Sequence, residues 1–280
     1  MSVLQILRPS PSRRHALARA MLDLRSIGGS AGYRRFVIIG SARCGSTLLT
    51  GLLNNHSQAL AFGEIFRAQD TIGWDIPPFL DRQAPDLLAL YQSDPVAFLQ
   101  SQVFRRWPRN YAAVGFKLFY YHARTPAHAT VWTHLAVNED LSIVHAKRRN
   151  LLAQYYSLQL AHKTDVWSIQ RPPTEKPAAI HLDVQACREY VAWIREREEE
   201  CERLFKGHAI RDLYYEDLVA DQEREMAEIQ GFLGLRREKL SPKTIRQRTR
   251  PLGELIVNYE ELKLAFPDAA WADCASSRAN

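Results

Sequence analysis

One stretch near the start of the chain restricts what this sequence can fold into. Residues 36–53, FVIIGSARCGSTLLTGLL, run from a continuous apolar segment through a polar loop with two glycines into an apolar segment with helical spacing. A short apolar run that ends at a glycine is typical of a buried parallel strand. A strand, a glycine-containing loop and a helix in direct succession predict a site where backbone N–H groups bind an anion.

The rest of the chain repeats the alternation of strand and helix. Strands are predicted at 36–40, 113–121, 141–147 and 208–215, and helices at 46–55, 85–106, 151–163, 184–206 and 220–233. Strands that alternate with helices favour a parallel sheet covered by helices on both faces. We therefore expect an α/β protein with a three-layer, P-loop-like fold, in which a central parallel sheet is flanked by helices. A single domain over residues 36–265 is expected to form it.

The positive charge of the chain is concentrated at its N-terminus. Residues 1–35 hold seven arginines and one acid, which accounts for the whole net charge of +6, and 30 basic residues balance 30 acidic ones in the remainder. Because the body is balanced, no nucleic-acid partner is expected. The basic arm over 1–35 is expected either to contact an acidic membrane surface or partner, or to be a solvated tail. Residues 266–280 are expected to be a C-terminal tail.

Cysteine spacing and hydropathy bear on where the protein works. Cys44, Cys187, Cys201 and Cys274 include no pair with CxxC spacing, so neither a zinc site nor a disulfide framework is expected. No apolar run approaches the ~18 residues that span a bilayer, and the N-terminus lacks the apolar region of a secretory signal. We expect a cytoplasmic protein, with any membrane contact peripheral, at the inner face and through the basic arm.

The loop at 40–47 has the spacing of ATP- and GTP-binding loops but lacks their lysine. Ser46 occupies the lysine position, and Thr47 adds a second hydroxyl. Arg43 supplies the positive charge, in a planar fork suited to an oxyanion. The strand at 141–147 is followed by basic residues instead of the acid that would help to hold Mg²⁺. The sequence therefore predicts a cationic anion site that uses no metal.

A second anion site is predicted after the strand at 141–147. Arg149 follows this strand, and Ser157 lies eight residues further on, in the next helix. A strand-end arginine and a helix hydroxyl can bind a phosphate together, although surface serines and helix-capping arginines are also common. Two separate anion sites indicate a nucleotide that carries phosphates at two positions.

These residues resemble the sulfotransferases that use 3'-phosphoadenosine 5'-phosphosulfate (PAPS). The segment RCGSTLL (43–49) is similar to the 5'-phosphosulfate loop of that family, and Arg149 with Ser157 is similar to its 3'-phosphate pair. The segments HSQALAFGEIF (56–66) and LGELIVNYEEL (252–262) resemble stretches of bacterial carbohydrate sulfotransferases, especially the nodulation-factor and trehalose-type enzymes. One departure is Cys44, at a position where the family commonly has serine.

The resemblance implies transfer of the sulfuryl group of PAPS to a hydroxyl of a carbohydrate or glycolipid acceptor, without a metal. The nucleotide site that it implies consists of Arg43, Cys44, Gly45, Ser46, Thr47, Leu48, Arg149 and Ser157. Two alternatives stay open from the sequence: a tyrosyl-peptide sulfotransferase, and a P-loop-type kinase or non-catalytic nucleotide-binding protein.

Sulfuryl transfer to an alcohol needs a general base, which contributes ~10²–10⁴-fold to the rate. Glu64 is the first candidate, because the carbohydrate enzymes that the chain resembles place a glutamate here. His122 is the second candidate and follows the strand at 113–121, while Lys117 within that strand is expected to reach the bridging oxygen of the leaving group. A structural role is the alternative for each of these three residues.

Two irregular segments, 70–110 and 164–183, are expected to shape the acceptor pocket. Their tryptophans are expected either to stack on sugar rings or to pack in the protein interior.

Overall fold

Parallel strands form the centre of the structure, a computed structural model that describes residues 11–74, 85–167, 179–241 and 251–266. The strands are β1 (Gly29–Ser30), β2 (Arg34–Gly40), β3 (Ala59–Phe62), β4 (Trp107–Pro108), β5 (Ala113–Phe119), β6 (Ser142–Lys147) and β7 (Ile210–Tyr214). Five of them form one sheet in the order β3-β5-β2-β6-β7, and β1 pairs with β4 apart from it. Every pairing in the five-stranded sheet is parallel.

Helices follow the strands along the chain. They are α1 (Pro11–Asp23), α2 (Ser46–Asn55), α3 (Pro85–Ser93), α4 (Pro95–Phe98), α5 (Thr130–Val137), α6 (Leu151–Thr164), α7 (Val184–Leu204), α8 (Tyr215–Ala220), α9 (Gln222–Phe232), α10 (Leu252–Leu255) and α11 (Tyr259–Ala265), with a π-helical turn at Leu99–Val103. The predicted helices at 46–55 and 151–163 match α2 and α6 to within a residue.

The central strand β2 explains why the fold has three layers. Side chains alternate between the two faces of a strand, and all the residues of β2 from Phe36 onward are buried. Val37 and Ile39 belong to a core shared with α3, α4, α5 and the end of α7, whereas Phe36 and Ile38 belong to a core shared with α2 and α9. The predicted three-layer α/β fold with a central parallel sheet is therefore confirmed.

One predicted helix is interrupted, at an aspartate that caps a new helix. Within the predicted helix 85–106, Asp94 accepts a hydrogen bond from the N–H of Ala97 at 2.8 Å and Pro95 opens α4. The predicted helix 220–233 corresponds to α9, which Asp221 caps by accepting a hydrogen bond from the N–H of Arg224 at 3.0 Å. A capping side chain satisfies backbone donors at a helix start, so it favours a new helix over continuation of the old one.

Part of the N-terminal arm is a helix that packs on the domain, whereas a solvated tail was one of the two forms predicted for it. Over residues 13–23 it is the helix α1 and packs on the domain, so this part is not a solvated tail. The ring of buried His15 is hydrogen-bonded through Nδ1 to the hydroxyl of Tyr111 at 2.6 Å. Arg14 donates to the carbonyl of His56 at 2.7 Å, and Arg19 donates to Gln102 at 2.6 Å. Arginines that the charge pattern placed in solvent therefore attach the helix to the fold.

Some sequence predictions fall on parts of the chain that the structure does not describe. They are residues 1–10 of the arm, 75–84 and 168–178 of the irregular segments, and 267–280 of the predicted tail, which include Cys274. In the described ranges, no helix has both the length and the apolar composition required to cross a bilayer. The division of the chain into an arm, a domain over 36–265 and a tail stays a prediction.

Candidate active site

The loop that follows β2 lies at the carboxyl edge of the sheet. Gly40 ends β2 and is paired with Phe119 on β5 and with Ala146 on β6. The chain leaves β2 towards β3 on one side of the sheet, while β6 and β7 lie on the other. Such a reversal of strand order opens a crevice at the carboxyl ends of the strands, where α/β proteins bind ligands.

Two positions in this loop have left-handed backbone conformation. Arg43 has a φ of 65° and Gly45 a φ of 88°. A Cβ atom on Gly45 would lie 2.6 Å from the ring of Tyr215, and one on Gly40 would lie 2.5 Å from the carbonyl oxygen of Ala146. At both positions a larger residue would therefore clash with its neighbours. At Gly45 the left-handed backbone conformation also favours glycine. The turns direct successive backbone N–H groups inward, as in anion-binding nests.

The loop ends where α2 begins, and the start of α2 has no side-chain cap. Gly45 is the N-cap residue and offers no side-chain acceptor to the first N–H groups of the helix. These groups and the helix dipole give the end of the loop a partial positive charge. An anion held in the loop thus completes the helix N-terminus.

Two buried residues from the β6–α6 region hold the loop in place, and sequence reasoning missed both. Gln154 donates through Nε2 to Ser41 Oγ at 2.7 Å and to the carbonyl of Ala42 at 2.8 Å. Arg148 donates through Nη1 to the carbonyl of Arg43 at 3.0 Å, with its guanidinium 4.6 Å from the ring centre of Tyr215. Only the basic run at 147–149 offered a signal for the arginine, and nothing in the sequence distinguished the glutamine.

Arg43 connects the two predicted anion sites. Its Nε donates to Ser157 Oγ at 2.8 Å, and its Nη1 donates to the carbonyl of Trp167. Ser157, predicted to help bind a second phosphate, therefore lies beside the first loop. The charge of Arg43 is directed towards the start of the segment after α6.

The other loop residues divide into buried and accessible groups. Cys44 and Ser46 are buried, Leu48 is half-buried and Thr47 is exposed. Burial raises the pKa of the Cys44 thiol, so this side chain is a neutral packing group under the loop. Thr47 is the loop side chain that faces outward, and its hydroxyl accepts a hydrogen bond from Lys117 Nζ at 3.3 Å.

The three predicted catalytic residues form a cluster around Glu64, which Lys117 connects to this threonine. Lys117 Nζ lies 2.9 Å from Glu64 Oε1, and His122 Nε2 lies 3.9 Å from Glu64 Oε2. The side chains of Lys117 and His122 are only 5% and 3% exposed, whereas Glu64 is 31% exposed. Glu64 is thus the member of the cluster that a substrate can reach most readily. Lys117 joins it to the hydroxyl of Thr47.

The hydrogen bonds of His122 determine which ring nitrogen carries the proton. Nδ1 faces the backbone N–H of Phe119 at 3.2 Å, and this N–H can only donate. The neutral ring therefore carries its proton on Nε2, which faces Glu64. Burial lowers the pKa of His122 to about 4, against the opposing effect of the Glu64 carboxylate. At neutral pH His122 presents a donor to the cluster, and Glu64 presents the free lone pairs.

Arg149 is held by acidic partners, whereas Ser157 is hydrogen-bonded to Arg43. Its guanidinium forms two hydrogen bonds with the Asp217 carboxylate at 2.6 and 2.7 Å and lies 4.0 Å from the ring centre of Tyr214. Arg149 lowers the pKa of Asp217, so the pair is ionised. Glu216 accepts the backbone N–H of Arg149 at 3.0 Å. Sequence analysis missed both acids, which lie in the YYED run at 214–217.

Fold and site together define a class: an α/β protein with a glycine-containing loop, predicted to bind an anion, at the switch point of its sheet and an acid–lysine pair beside it. The sequence model of the Sulfotransferase family matches residues 35–239. The chain belongs to this family, as the loop predicted, and the family comprises enzymes that transfer sulfuryl groups.

The chain is also similar over most of its length to individual known proteins. Nodulation protein H of Rhizobium meliloti (strain 1021) is 27% identical over 248 residues, which cover 85% of this chain and 93% of that protein. Nodulation protein H of Rhizobium tropici is 26% identical over 246 residues, which cover 85% and 91%. A solved sulfotransferase from Alicyclobacillus acidocaldarius aligns with a TM-score of 0.44 and 17% identity over 83% of this chain and 90% of that chain.

Proposed function

We propose that this sulfotransferase moves the sulfuryl group of PAPS to a hydroxyl of a carbohydrate or glycolipid acceptor, without a metal ion. One observation supports it above others: Lys117 Nζ lies 3.3 Å from Thr47 Oγ1 and 2.9 Å from Glu64 Oε1. A single ammonium therefore joins the anion-binding loop to a partly exposed carboxylate. Sulfuryl transfer needs a cation at the leaving oxygen and a base at the attacking hydroxyl, side by side.

The loop residues are suited to the 5'-phosphosulfate end of the nucleotide. The backbone N–H groups from Gly45 to Leu48, with the hydroxyls of Ser46 and Thr47, supply donors, and Arg43 supplies a cation. A sulfuryl group carries less negative charge than a terminal phosphate, so these donors can hold it without Mg²⁺. Donors that are fixed before the reaction stabilise charge as it develops in the transition state.

Glu64 and Lys117 then have complementary tasks. Glu64 accepts the proton of the acceptor hydroxyl as that oxygen attacks sulfur in line. The bond between sulfur and the bridging oxygen breaks, and the electron pair stays on the 5'-phosphate of the departing 3'-phosphoadenosine 5'-phosphate (PAP). Lys117 and the N-terminus of α2 stabilise this charge. The Nε2–H of His122 faces Glu64 at 3.9 Å, and its electrostatic attraction orients the carboxylate.

Arg149 and Ser157 are proposed to bind the 3'-phosphate. Arg149 is 46% exposed and paired with Asp217, so a phosphate has to share or displace that carboxylate. Ser157 is bonded to Arg43 and is already directed towards the nucleotide loop. Binding of the 3'-phosphate therefore involves an exchange of partners at Arg149.

The acceptor class and the location rest on sequence features. The segments 56–66 and 252–262 resemble carbohydrate sulfotransferases, and Glu64 lies in the first of them. Leu17 on α1 and Leu24 just after it are exposed, and Arg25 follows Leu24, so this part of the arm offers apolar and basic groups together. We propose a cytoplasmic enzyme that contacts the inner membrane face through this surface, where a glycolipid acceptor is available.

The experiment that tests the proposal is transfer of radiolabelled sulfate from PAPS, in EDTA, to a panel of acceptors. The panel contains a disaccharide, a lipochitooligosaccharide, lipopolysaccharide and a tyrosyl peptide. Label in a carbohydrate or glycolipid, abolished by Arg43→Ala, is the expected result. Label only in the peptide would overturn the acceptor class, and no label in any acceptor would overturn the donor or the reaction.

A further inference from the structure

Beside the Glu64 cluster lies an aromatic pair that the proposed chemistry does not use. Tyr121 directly precedes His122 at the carboxyl edge of the sheet, and its side chain is 48% exposed. Its ring centre lies 4.9 Å from that of His122 and 6.2 Å from that of half-buried Trp193 on α7. The planes of the tyrosine and tryptophan rings differ by only 36°. The Tyr121 ring is thus an accessible apolar surface beside the Glu64 cluster, and the Trp193 ring adjoins it.

The two ends of Tyr121 face different surroundings. The backbone of Ala42, in the anion-binding loop, lies within hydrogen-bonding reach of the hydroxyl, and burial of this end together with nearby Glu64 raises the pKa of Tyr121. The hydroxyl end is therefore fixed and protonated at the loop, while part of the ring stays accessible. Trp193 supports the arrangement from α7, where its ring also lies 6.2 Å from that of Tyr120.

The tryptophans expected to contact the acceptor do not provide such a surface. Trp74 and Trp107 are only 7% and 0% exposed and belong to the core, so of their two predicted roles the structure has interior packing and not stacking on a sugar. Trp167 is exposed, but its ring packs edge-on against His162, with 5.1 Å between ring centres. Tyr121 is accessible and lies beside the Glu64 cluster, and half-buried Trp193 adjoins Tyr121.

We infer that Tyr121 and Trp193 form the acceptor subsite, on which a sugar ring stacks and presents one hydroxyl to Glu64. One face of a pyranose ring carries mainly C–H groups, which pack on aromatic rings, while its hydroxyls remain at the edge. Rigid aromatic side chains bury large areas at a small cost in conformational entropy. This inference rests on the proposed function and names the residues that would select its acceptor.

Kinetics of Trp193→Ala and Tyr121→Ala test the subsite with the carbohydrate that accepts sulfate best. Loss of one stacking contact is expected to raise the acceptor KM by about 5- to 100-fold. The Kd of PAP should stay within about twofold, because neither ring forms the nucleotide loop. Trp193→Phe and Tyr121→Phe keep a ring and should retain most of the acceptor affinity. Leu204→Ala, at the far end of α7, is the matched control and should leave both constants unchanged.

The outcomes separate this inference from the proposed function. Unchanged acceptor KM in both alanine variants, with carbohydrate still sulfated, would overturn the subsite and leave the function standing. Equal losses of PAP and acceptor affinity would also overturn it, since the rings would then belong to the nucleotide site. If no carbohydrate is sulfated, the same panel is titrated in the presence of PAP while tryptophan fluorescence is recorded. A saturable change that Trp193→Phe abolishes supports the subsite, and no change overturns it.

Discussion

Replacing Glu64 with glutamine separates proton transfer from binding. The amide keeps the size of the side chain but cannot accept the proton of the acceptor hydroxyl. We expect kcat to fall by ~10²–10⁴-fold, the usual contribution of a general base. The affinity for PAP should stay near that of the wild type, because Glu64 reaches the nucleotide loop only through Lys117.

The structure also indicates how much Glu64→Gln should lower the free energy of unfolding. Lys117 is 5% exposed and loses its charged partner at 2.9 Å. Breaking a fully buried pair costs about 3–5 kcal/mol. Here the loss is reduced to about 1–2 kcal/mol, because Glu64 is 31% exposed and the amide oxygen still accepts a hydrogen bond from Lys117. For a domain of this size that corresponds to a decrease in Tm of about 2–8 °C, so the variant should fold.

The assay is steady-state sulfate transfer, with PAP affinity measured by titration and folding by thermal denaturation. His122→Asn is the matched variant, because asparagine Oδ1 can replace Nδ1 as the acceptor of the Phe119 N–H. It is expected to lose less than about tenfold in kcat, since His122 only orients Glu64. Wild-type kcat in Glu64→Gln, together with an inactive His122→Asn, would refute the reasoning and assign the base to His122.

Three further changes test other parts of the structure. Arg149→Ala should weaken the binding of PAPS by about 1.5–3 kcal/mol but leave the binding of adenosine 5'-phosphosulfate, which lacks the 3'-phosphate, nearly unchanged. Equal weakening for both nucleotides in binding titrations would mean that Arg149 only supports the fold. Arg148→Met removes the hydrogen bond to the carbonyl of Arg43 and should raise the Kd of PAP about tenfold, while the circular dichroism spectrum stays that of the folded protein. An unchanged Kd would show that the loop holds its shape without this hydrogen bond. The pKa values of His15 and His122 fall to about 3 and about 4 in the folded state, from 6.5. Because the unfolded chain binds more protons below pH 6.5, the free energy of unfolding is full above that pH and falls as the pH drops towards 4. The loss is about 2 kcal/mol per histidine at pH 5. Urea denaturation should show lower stability at pH 5 than at pH 7, and His15→Gln should reduce the difference.

The fold could be predicted where one local pattern decided it. The apolar run of β2 and the leucine spacing of α2 each carry their own signal, so their bounds were nearly correct. Strand β3 was missed because its sequence, ALAF, contains no β-branched residue, and it becomes a strand by pairing with β5. Helix α1 was treated as part of a basic arm, because the partners of Arg14 and Arg19 are backbone and amide groups far along the chain.

In the candidate site, too, some residues could be predicted from the local sequence and others depend on tertiary contacts. Arg43, Lys117 and His122 lie at or near the ends of predicted strands, and the carboxyl ends of parallel strands meet at one edge, so their convergence was predictable. Glu64 follows the missed strand β3, and the family resemblance identified it. The supporting contacts were not predictable, because Gln154 acts on loop backbone, and Asp217 on Arg149, through tertiary contacts that no motif records.

The measurement that tests the nucleotide assignment most directly is thermal denaturation with PAP in EDTA. A ligand at 100 times its Kd stabilises the folded state by about 2.7 kcal/mol. We expect PAP to raise the Tm without metal and Arg43→Ala to abolish most of the shift, while ATP with Mg²⁺ has a smaller effect. A Tm that millimolar PAP leaves unmoved, or that only ATP with Mg²⁺ raises, would contradict the account.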